Sequence, residues 1–216
     1  MKKIALIGGT GFVGSHLLTE LTNRGFEVTA IARDVQQLKD LKHVLALQAD
    51  VNDAAAIAGS IKWNDAVISA FNAGWSNPNI YDDYTKGARA ILEAVKSSGI
   101  KRFIVIGGAG SLTIDGHKLI DSPDFPKDIK PGAQAATDYL EVIKREHDLD
   151  WTFFSPAMEM HPGTSGQRTG KYRTGGDSPV FDEQGKSVLS VEDLAVAIVD
   201  ELENNKFIKQ RFTAAY

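Results

Sequence analysis

Apolar runs short enough to be strands alternate with amphipathic helical patterns along most of this 216-residue chain. The opening shows the rhythm most clearly. Residues 4–7 (IALI) are continuously apolar, as in a strand buried on both faces. A glycine-rich turn follows, and then Phe12, Val13, Leu17, Leu18 and Leu21 fall at helical spacing. Gly25 stops that helix, and 28–32 supplies a second strand. Next come a short helix over 34–41, a strand over 44–48, an alanine-rich helix capped by Asp53 and a strand over 65–70. A longer helix, opened by Pro78, reaches Ser98 and stops at Gly99, ahead of a strand over 103–106. Residues 107–130 hold few periodic apolar positions and two prolines, Pro123 and Pro126, and read as a long functional loop. A helix over 132–147 and a strand over 151–154 complete a sixth repeat.

Beyond that point the pattern changes. Residues 161–185 are rich in Gly, Ser, Thr and Pro, with strand-like pieces at 171–174 and 178–181. The stretch 155–189 is therefore read as a small loop or hairpin insertion on the substrate side. Ser190-Val191-Glu192-Asp193 is a capping box opening a helix to about 203, and a last strand over 211–214 is expected at the sheet edge. Strand–helix alternation of this kind predicts an α/β fold with a doubly wound parallel sheet, residues 1–216 forming one domain.

The turn after the first strand reads GGTGFVG. Gly9, Gly11 and Gly14 satisfy G-x-G-x-x-G, while Gly8, Gly11 and Gly14 satisfy G-x-x-G-x-x-G. Glycine strings alone are weak signals. Here a strand leads in, and a helix and a second strand lead out, which is the first unit of a dinucleotide-binding Rossmann fold. In that unit the pyrophosphate rests on the helix N-terminus, so the backbone of Gly8, Gly9, Thr10, Gly11, Phe12 and Val13 is the expected phosphate cradle.

Composition removes several other classes. A net charge of −4 argues against a general nucleic-acid or anionic-membrane binder, whose affinity comes from clustered cations. No window of about 18 apolar residues could span a bilayer. Met1-Lys2-Lys3 leads straight into a strand and a glycine turn, unlike a signal peptide. With no cysteine, disulfides and thiolate chemistry are out of reach. A cytoplasmic protein, monomeric or homodimeric and acting on a small molecule, is expected.

Ligands of open α/β sheets lie beyond the carboxyl ends of the strands, so the residues after each strand become candidates. Arg33 follows the second strand, where an acid would contact the ribose 2′-hydroxyl of NAD. An arginine there is suited to a 2′-phosphate, which favours NADP. Asp50 and Val51 follow the third strand, at the place for an adenine ring, although Asp50 also suits a turn. Ala70, Phe71 and Asn72 follow the fourth, small enough to admit the nicotinamide ribose or simply a turn shaped by Asn72 and Gly74. Gly107 and Gly108 follow the fifth, with Pro156 and Ala157 after the sixth; these loops should flank the nicotinamide. Ser111 could bond a substrate carbonyl or serve a turn. Arg168, Lys171 and Arg173 form a basic group suited to an anionic substrate or to a solvated face. Glu159 and His161 could handle a proton. No histidine pair has metal-ligand spacing, so no metal site is expected.

These motifs together resemble the atypical short-chain dehydrogenase/reductases, in the branch of NmrA-like proteins and the biliverdin reductase B type of flavin reductase. Bacterial members are described as NADH-flavin reductases or NAD-dependent epimerase/dehydratases. The resemblance rests on GGTGFVG (8–14), Arg33, Asp50-Val51, AFNAGW (70–75), GGAGSL (107–112), DLDWTFFSPA (148–157) and SVEDLA (190–195), and runs nearly from end to end. It implies a nicotinamide cofactor, which Arg33 points to as NADP, and hydride transfer to a flavin or similar conjugated acceptor. It equally admits a dinucleotide-binding redox sensor without turnover. Catalytically typical relatives use Tyr-x-x-x-Lys, and no tyrosine here has lysine four residues on. Thr85, Ala88, Ile143 and Gly176 follow Tyr81, Tyr84, Tyr139 and Tyr172 at that distance, and Tyr216 ends the chain. Tyr139 lies on the helix that would hold the pair, among apolar helical partners, and is a candidate acid or a core residue. Sugar epimerase or dehydratase chemistry, which needs the pair, is disfavoured.

Overall fold

The computed structural model describes residues 2–216, so the reading of Met1 as the lead into a strand lies outside the described residues. Its frame is one eight-stranded sheet. The strands are β1 (Lys3–Ile7), β2 (Glu27–Ala32), β3 (Val44–Gln48), β4 (Ala66–Ser69), β5 (Arg102–Ile106), β8 (Asp150–Phe154), β9 (Arg173–Gly175) and β10 (Gln210–Ala215). A separate two-stranded hairpin, β6 (Thr113–Ile114) with β7 (His117–Lys118), lies within the long loop after β5. The order across the sheet is β3-β2-β1-β4-β5-β8-β10-β9, all parallel except the β9–β10 pair. This is the doubly wound arrangement, with the order reversing between β1 and β4.

Each central strand is buried on both faces. Ile4 and Leu6 of β1 enter the core under α1 (Phe12–Asn23) and α5 (Val191–Asn204). Ala5 and Ile7 enter the opposite core under α2 (Ala54–Ile61), α3 (Ile80–Ser98) and α4 (Lys130–Ile143). The period of two thus feeds both layers, which is why β1 reads as a continuous apolar run. Local signals act as expected at several ends. The Asp53 carboxylate accepts from the Ala56 N–H at 3.0 Å, and Gly99 closes α3 at φ 81°.

Three expectations change. The helix expected over 34–41 shrinks to a 3₁₀ turn, Gln36–Leu38, because Asp34 accepts from the Gln36 N–H and Leu38 turns directly into the core. A groove of about 530 Å³ lies beside α1, from Gly9 and Thr10 to Leu41 and Val44. The strand expected at the edge, β10, sits one place inside, between β8 and β9. Of the strand-like pieces in the late loop, only the first forms a strand, β9; the stretch around 178–181 runs without regular structure.

Candidate functional site

The reversal of strand order brings the carboxyl ends of β1 and β4 together. Gly8 leaves β1 at φ 85°, and a Cβ there would stand 2.8 Å from the Ala70 carbonyl oxygen. Gly14 lets α1 start directly over this turn: a Cβ on it would lie 2.8 Å from the Gly8 carbonyl carbon and 3.0 Å from Gly9 Cα. Gly11 is the N-cap, its carbonyl accepts from the Ser15 N–H at 2.9 Å, and its N–H donates to Gly8 O at 3.0 Å. Gly9, by contrast, has ordinary φ, and a Cβ there would meet only side chains at ordinary contact distance, Ala30 Cβ at 3.4 Å and Leu6 Cδ2 at 3.6 Å. Of the two glycine spacings, Gly8-Gly11-Gly14 is therefore the one the geometry demands.

Nothing on α1 itself satisfies its first N–H groups. The helix has no side-chain cap and no acidic residue in its first turn. Its N-terminal dipole and the amides near Phe12 and Val13 are left for an anion, which fits a dinucleotide pyrophosphate. Thr10 and Phe12 are exposed at this end, and the Phe12 ring meets the His16 ring edge-on at 5.6 Å.

Arg33 is exposed directly after β2, within electrostatic reach of Asp50 after β3. Asp50 Oδ1 accepts from the Asn52 N–H and from the Asn52 amide, both at 2.9 Å. The backbone bond from Asn52 is the main cause holding the Asp50 carboxyl below its usual range, against slight desolvation; the Asn52 amide, Arg33 and Lys86 add to it. Asp50 is thus a turn residue as well as a neighbour of Arg33. Val51 and Phe71 both press into a notch at Gly87, where a Cβ would lie 2.6 Å from the Phe71 ring and 3.1 Å from Val51 Cγ2. The Phe71 ring stacks on Tyr84 at 5.8 Å, so its partly buried side chain packs against the core. Asn72 Oδ1 accepts from the Gly74 N–H at 2.7 Å, closing the turn after β4. On the far side, Gly107 admits the Phe153 ring, and Gly108 stands next to Ala136. Pro156 and Ala157 are buried, Ala157 in the core under α1 and α5.

Several candidates are placed elsewhere than expected. Tyr139 is 4% exposed and donates to the Ala88 carbonyl at 3.0 Å, between α4 and α3. Burial raises its pKa well above the ordinary tyrosine value, so the phenol stays protonated. As a candidate acid it is corrected to a core residue. Ser111 is 3% exposed, and its hydroxyl is shared among Gly108 O, Ser155 Oγ and the Arg211 guanidinium. It ties the loop after β5 to β10 and has no open face for a substrate carbonyl. The basic group is dispersed. Arg168 makes two bonds of 2.8 Å to Glu20 on α1, Arg173 bonds the Phe181 and Tyr216 carbonyls, and only Lys171 is left exposed without such a role. His161 Nδ1 accepts from the Gly163 N–H at 3.1 Å in a 3₁₀ turn, while Glu159 bridges to Val188. No metal-holding cluster exists among the described residues, and no helix there is long and apolar enough to cross a membrane.

The family model for NAD(P)H-binding proteins matches residues 8–205, taking in the cradle and the segments that follow β2, β3, β4, β5 and β8. The chain belongs to this NAD(P)H-binding family. Among its relatives is the uncharacterized protein YwnB of Bacillus subtilis, 36% identical over 98% of this chain and 97% of that protein. Two solved structures share the whole NAD(P)H-binding architecture. A "putative epimerase" from Bacteroides thetaiotaomicron is 47% identical with a TM-score of 0.91, covering 100% of this chain and 97% of that one. A "putative NADH-flavin reductase" from Streptococcus pneumoniae is 34% identical with a TM-score of 0.87, covering 100% and 99%.

Sequence reasoning missed how the late loop of this NAD(P)H-binding chain is fastened. Asp193, buried under the capping Ser190, accepts from the Thr169 and Gly170 N–H groups, the Thr169 hydroxyl and the Tyr216 phenol. Glu192 accepts from the Gly166 N–H at 2.7 Å. Only half of the capping box forms: Ser190 accepts from the Asp193 N–H, while the acid turns to the loop instead. Nothing local in SVEDLA marks a partner more than twenty residues upstream.

Proposed function

We propose that this protein is an NAD(P)H-dependent reductase, preferring NADPH, that delivers hydride to a flavin or a similar conjugated acceptor. The observation that carries the reading is the pairing of an intact phosphate cradle at Gly8-Gly11-Gly14 with the burial of Tyr139, which leaves α4 without a phenol free to serve as proton donor. Bound NADPH would supply the hydride. The α1 N-terminus holds the pyrophosphate, Arg33 pairs with the 2′-phosphate, and Asp50 with Val51 borders the adenine. The small residues Ala70, Gly107 and Gly108 let the nicotinamide half approach the strand ends, with Pro156 and Ala157 on its other side. A conjugated acceptor delocalises the incoming charge and takes its proton from water, so the chain needs only to orient the two rings and exclude solvent between them. The flavin reductase name of one neighbour supports this reading. The epimerase name of the other implies proton exchange at an alcohol, for which no Tyr-x-x-x-Lys pair is present.

The test is to mix the protein with NADPH and FMN, riboflavin or a quinone and follow the nicotinamide absorbance. Oxidation by at least one acceptor is expected. NADPH binding with no oxidation by any of them overturns the reductase and leaves a dinucleotide sensor. A charge-assisted contact of about 1.5–3 kcal/mol at Arg33 corresponds to roughly ten- to a hundredfold preference for NADPH. Arg33→Asp should reverse it, and unchanged selectivity would remove Arg33 from the site.

A further inference from the structure

The reductase reading leaves open what grips the acceptor, and one exposed aromatic side chain follows the strand ends of the candidate site. Trp75 follows the turn after β4 and is 58% exposed. Of the other tryptophans, Trp151 is buried, and Trp63 lies before β4, at the opposite ends of the strands. An indole so exposed keeps most of an apolar face in water, which makes it available to a ligand.

The ring is held in place rather than free. A Cβ on Gly132 would come 2.9 Å from Trp75 Cζ3 and 2.7 Å from Ile80 Cδ1. Gly132 stands in the first turn of α4, where alanine would favour the helix by about 1 kcal/mol. The missing side chain makes the seat for the indole. On the other side Gly74, at φ 100°, and the Asn72 turn set the approach of the chain. Ala136 is one helical turn beyond Gly132 on the same face of α4, and a Cβ on Gly108 would touch it at 3.5 Å. Positions four apart on a helix are about 6 Å apart. The point of α4 that seats the indole and the point that meets Gly108, in the loop leaving β5, are therefore about one helical turn apart. Ile129, just before α4, adds a second exposed apolar group.

We infer that Trp75 is the stacking platform for the acceptor, which is accordingly a planar, extended conjugated ring. This rests on the reductase reading and goes further by naming the recognising residue. Ring stacking of this kind is worth about tenfold in affinity.

The experiment measures riboflavin binding by equilibrium dialysis in the presence of saturating NADP⁺, where no turnover occurs. Trp75→Leu should weaken riboflavin binding about tenfold, Trp75→Phe should stay within about threefold, and neither should change NADP⁺ affinity. Gly132→Ala, which displaces the indole without removing it, should act in the same direction as Trp75→Leu. Equal riboflavin affinity in the native chain and in a Trp75→Leu variant that still binds NADP⁺ overturns the assignment, as does a native chain that binds no riboflavin. The NADPH oxidation assay keeps the two ideas apart. Turnover with an unchanged riboflavin KM in Trp75→Leu sinks the platform and leaves the reductase; binding through Trp75 without oxidation by any acceptor sinks the reductase and leaves the platform.

Discussion

Gly14→Ala adds one methyl group where there is no room for it. The new Cβ would sit 2.8 Å from the Gly8 carbonyl carbon and 3.0 Å from Gly9 Cα, with the Gly8 oxygen closer still. All three are backbone atoms, so no side chain can swing away. Either α1 or the turn must move by about 1 Å, and overpacking of this kind costs about 1–3 kcal/mol or more. Alanine recovers about 1 kcal/mol through helix propensity. The balance, near the upper end because backbone must shift, is a loss of about 2 kcal/mol. For a chain of this size that lowers Tm by about 4–8 °C. The same displacement pulls the first N–H groups of α1 off the phosphate position, so NADP⁺ affinity should fall at least about tenfold. Gly9→Ala is the control: its Cβ meets only the side chains of Ala30, at 3.4 Å, and Leu6, at 3.6 Å, and Tm should stay within about 2 °C of the native value. Thermal melts and calorimetric titration with NADP⁺ read both quantities. A Gly14→Ala variant with native Tm and affinity would refute the close-approach argument. Equal damage from Gly9→Ala would show that the cost has another origin.

Two further predictions concern groups away from the cradle. Tyr139→Phe leaves the Ala88 carbonyl without the phenol and should cost about 1 kcal/mol of stability while kcat stays within about twofold; a loss of kcat by two orders of magnitude in a folded variant would restore Tyr139 as an acid. In Asp193, burial raises the carboxyl, but the bonds from Thr169, Tyr216 and Gly170 more than offset it, so it titrates below its usual value. Glu20 is likewise lowered, first by Arg168, against desolvation and with help from Arg24. A depressed folded pKa gives stability that is complete above the unfolded pKa and is lost as pH falls towards the folded one. Tm should therefore drop on acidification below about pH 5, and Asp193→Asn should flatten that drop; parallel Tm curves for native chain and variant would show that Asp193 takes no part.

What could be read from the sequence was what acts locally. The apolar run of β1, the glycine turn, the Asp53 cap and the Gly99 stop each depend on neighbours a few residues away, and each stands where expected. Arg168 could not be read, because its partner Glu20 is 148 residues distant and an arginine in a polar loop looks the same whether paired or free. Tyr139 was ambiguous for a related reason. Its burial depends on α3 crossing above it, and periodicity on α4 alone cannot separate a core tyrosine from one at a site. The place of β10 was missed because the strand-like piece at 171–174 gives no sign of its partner: β9 pairs with β10 across about forty residues of chain and so covers it.

The fastening of the late loop bears on how this scaffold could be redesigned. Arg168 to Glu20, and Thr169 with Gly170 to Asp193, pin the segment at adjacent points to α1 and α5, the two helices of one layer. Residues on either side, such as Met158, His161, Lys171 and Gly176, are exposed and carry no part of the core. Loop sequences exchanged between relatives should therefore be accepted if the 166–170 clasp, its three acids and β9 are carried along, since α1, α5 and the pairing of β9 with β10 hold the segment in place.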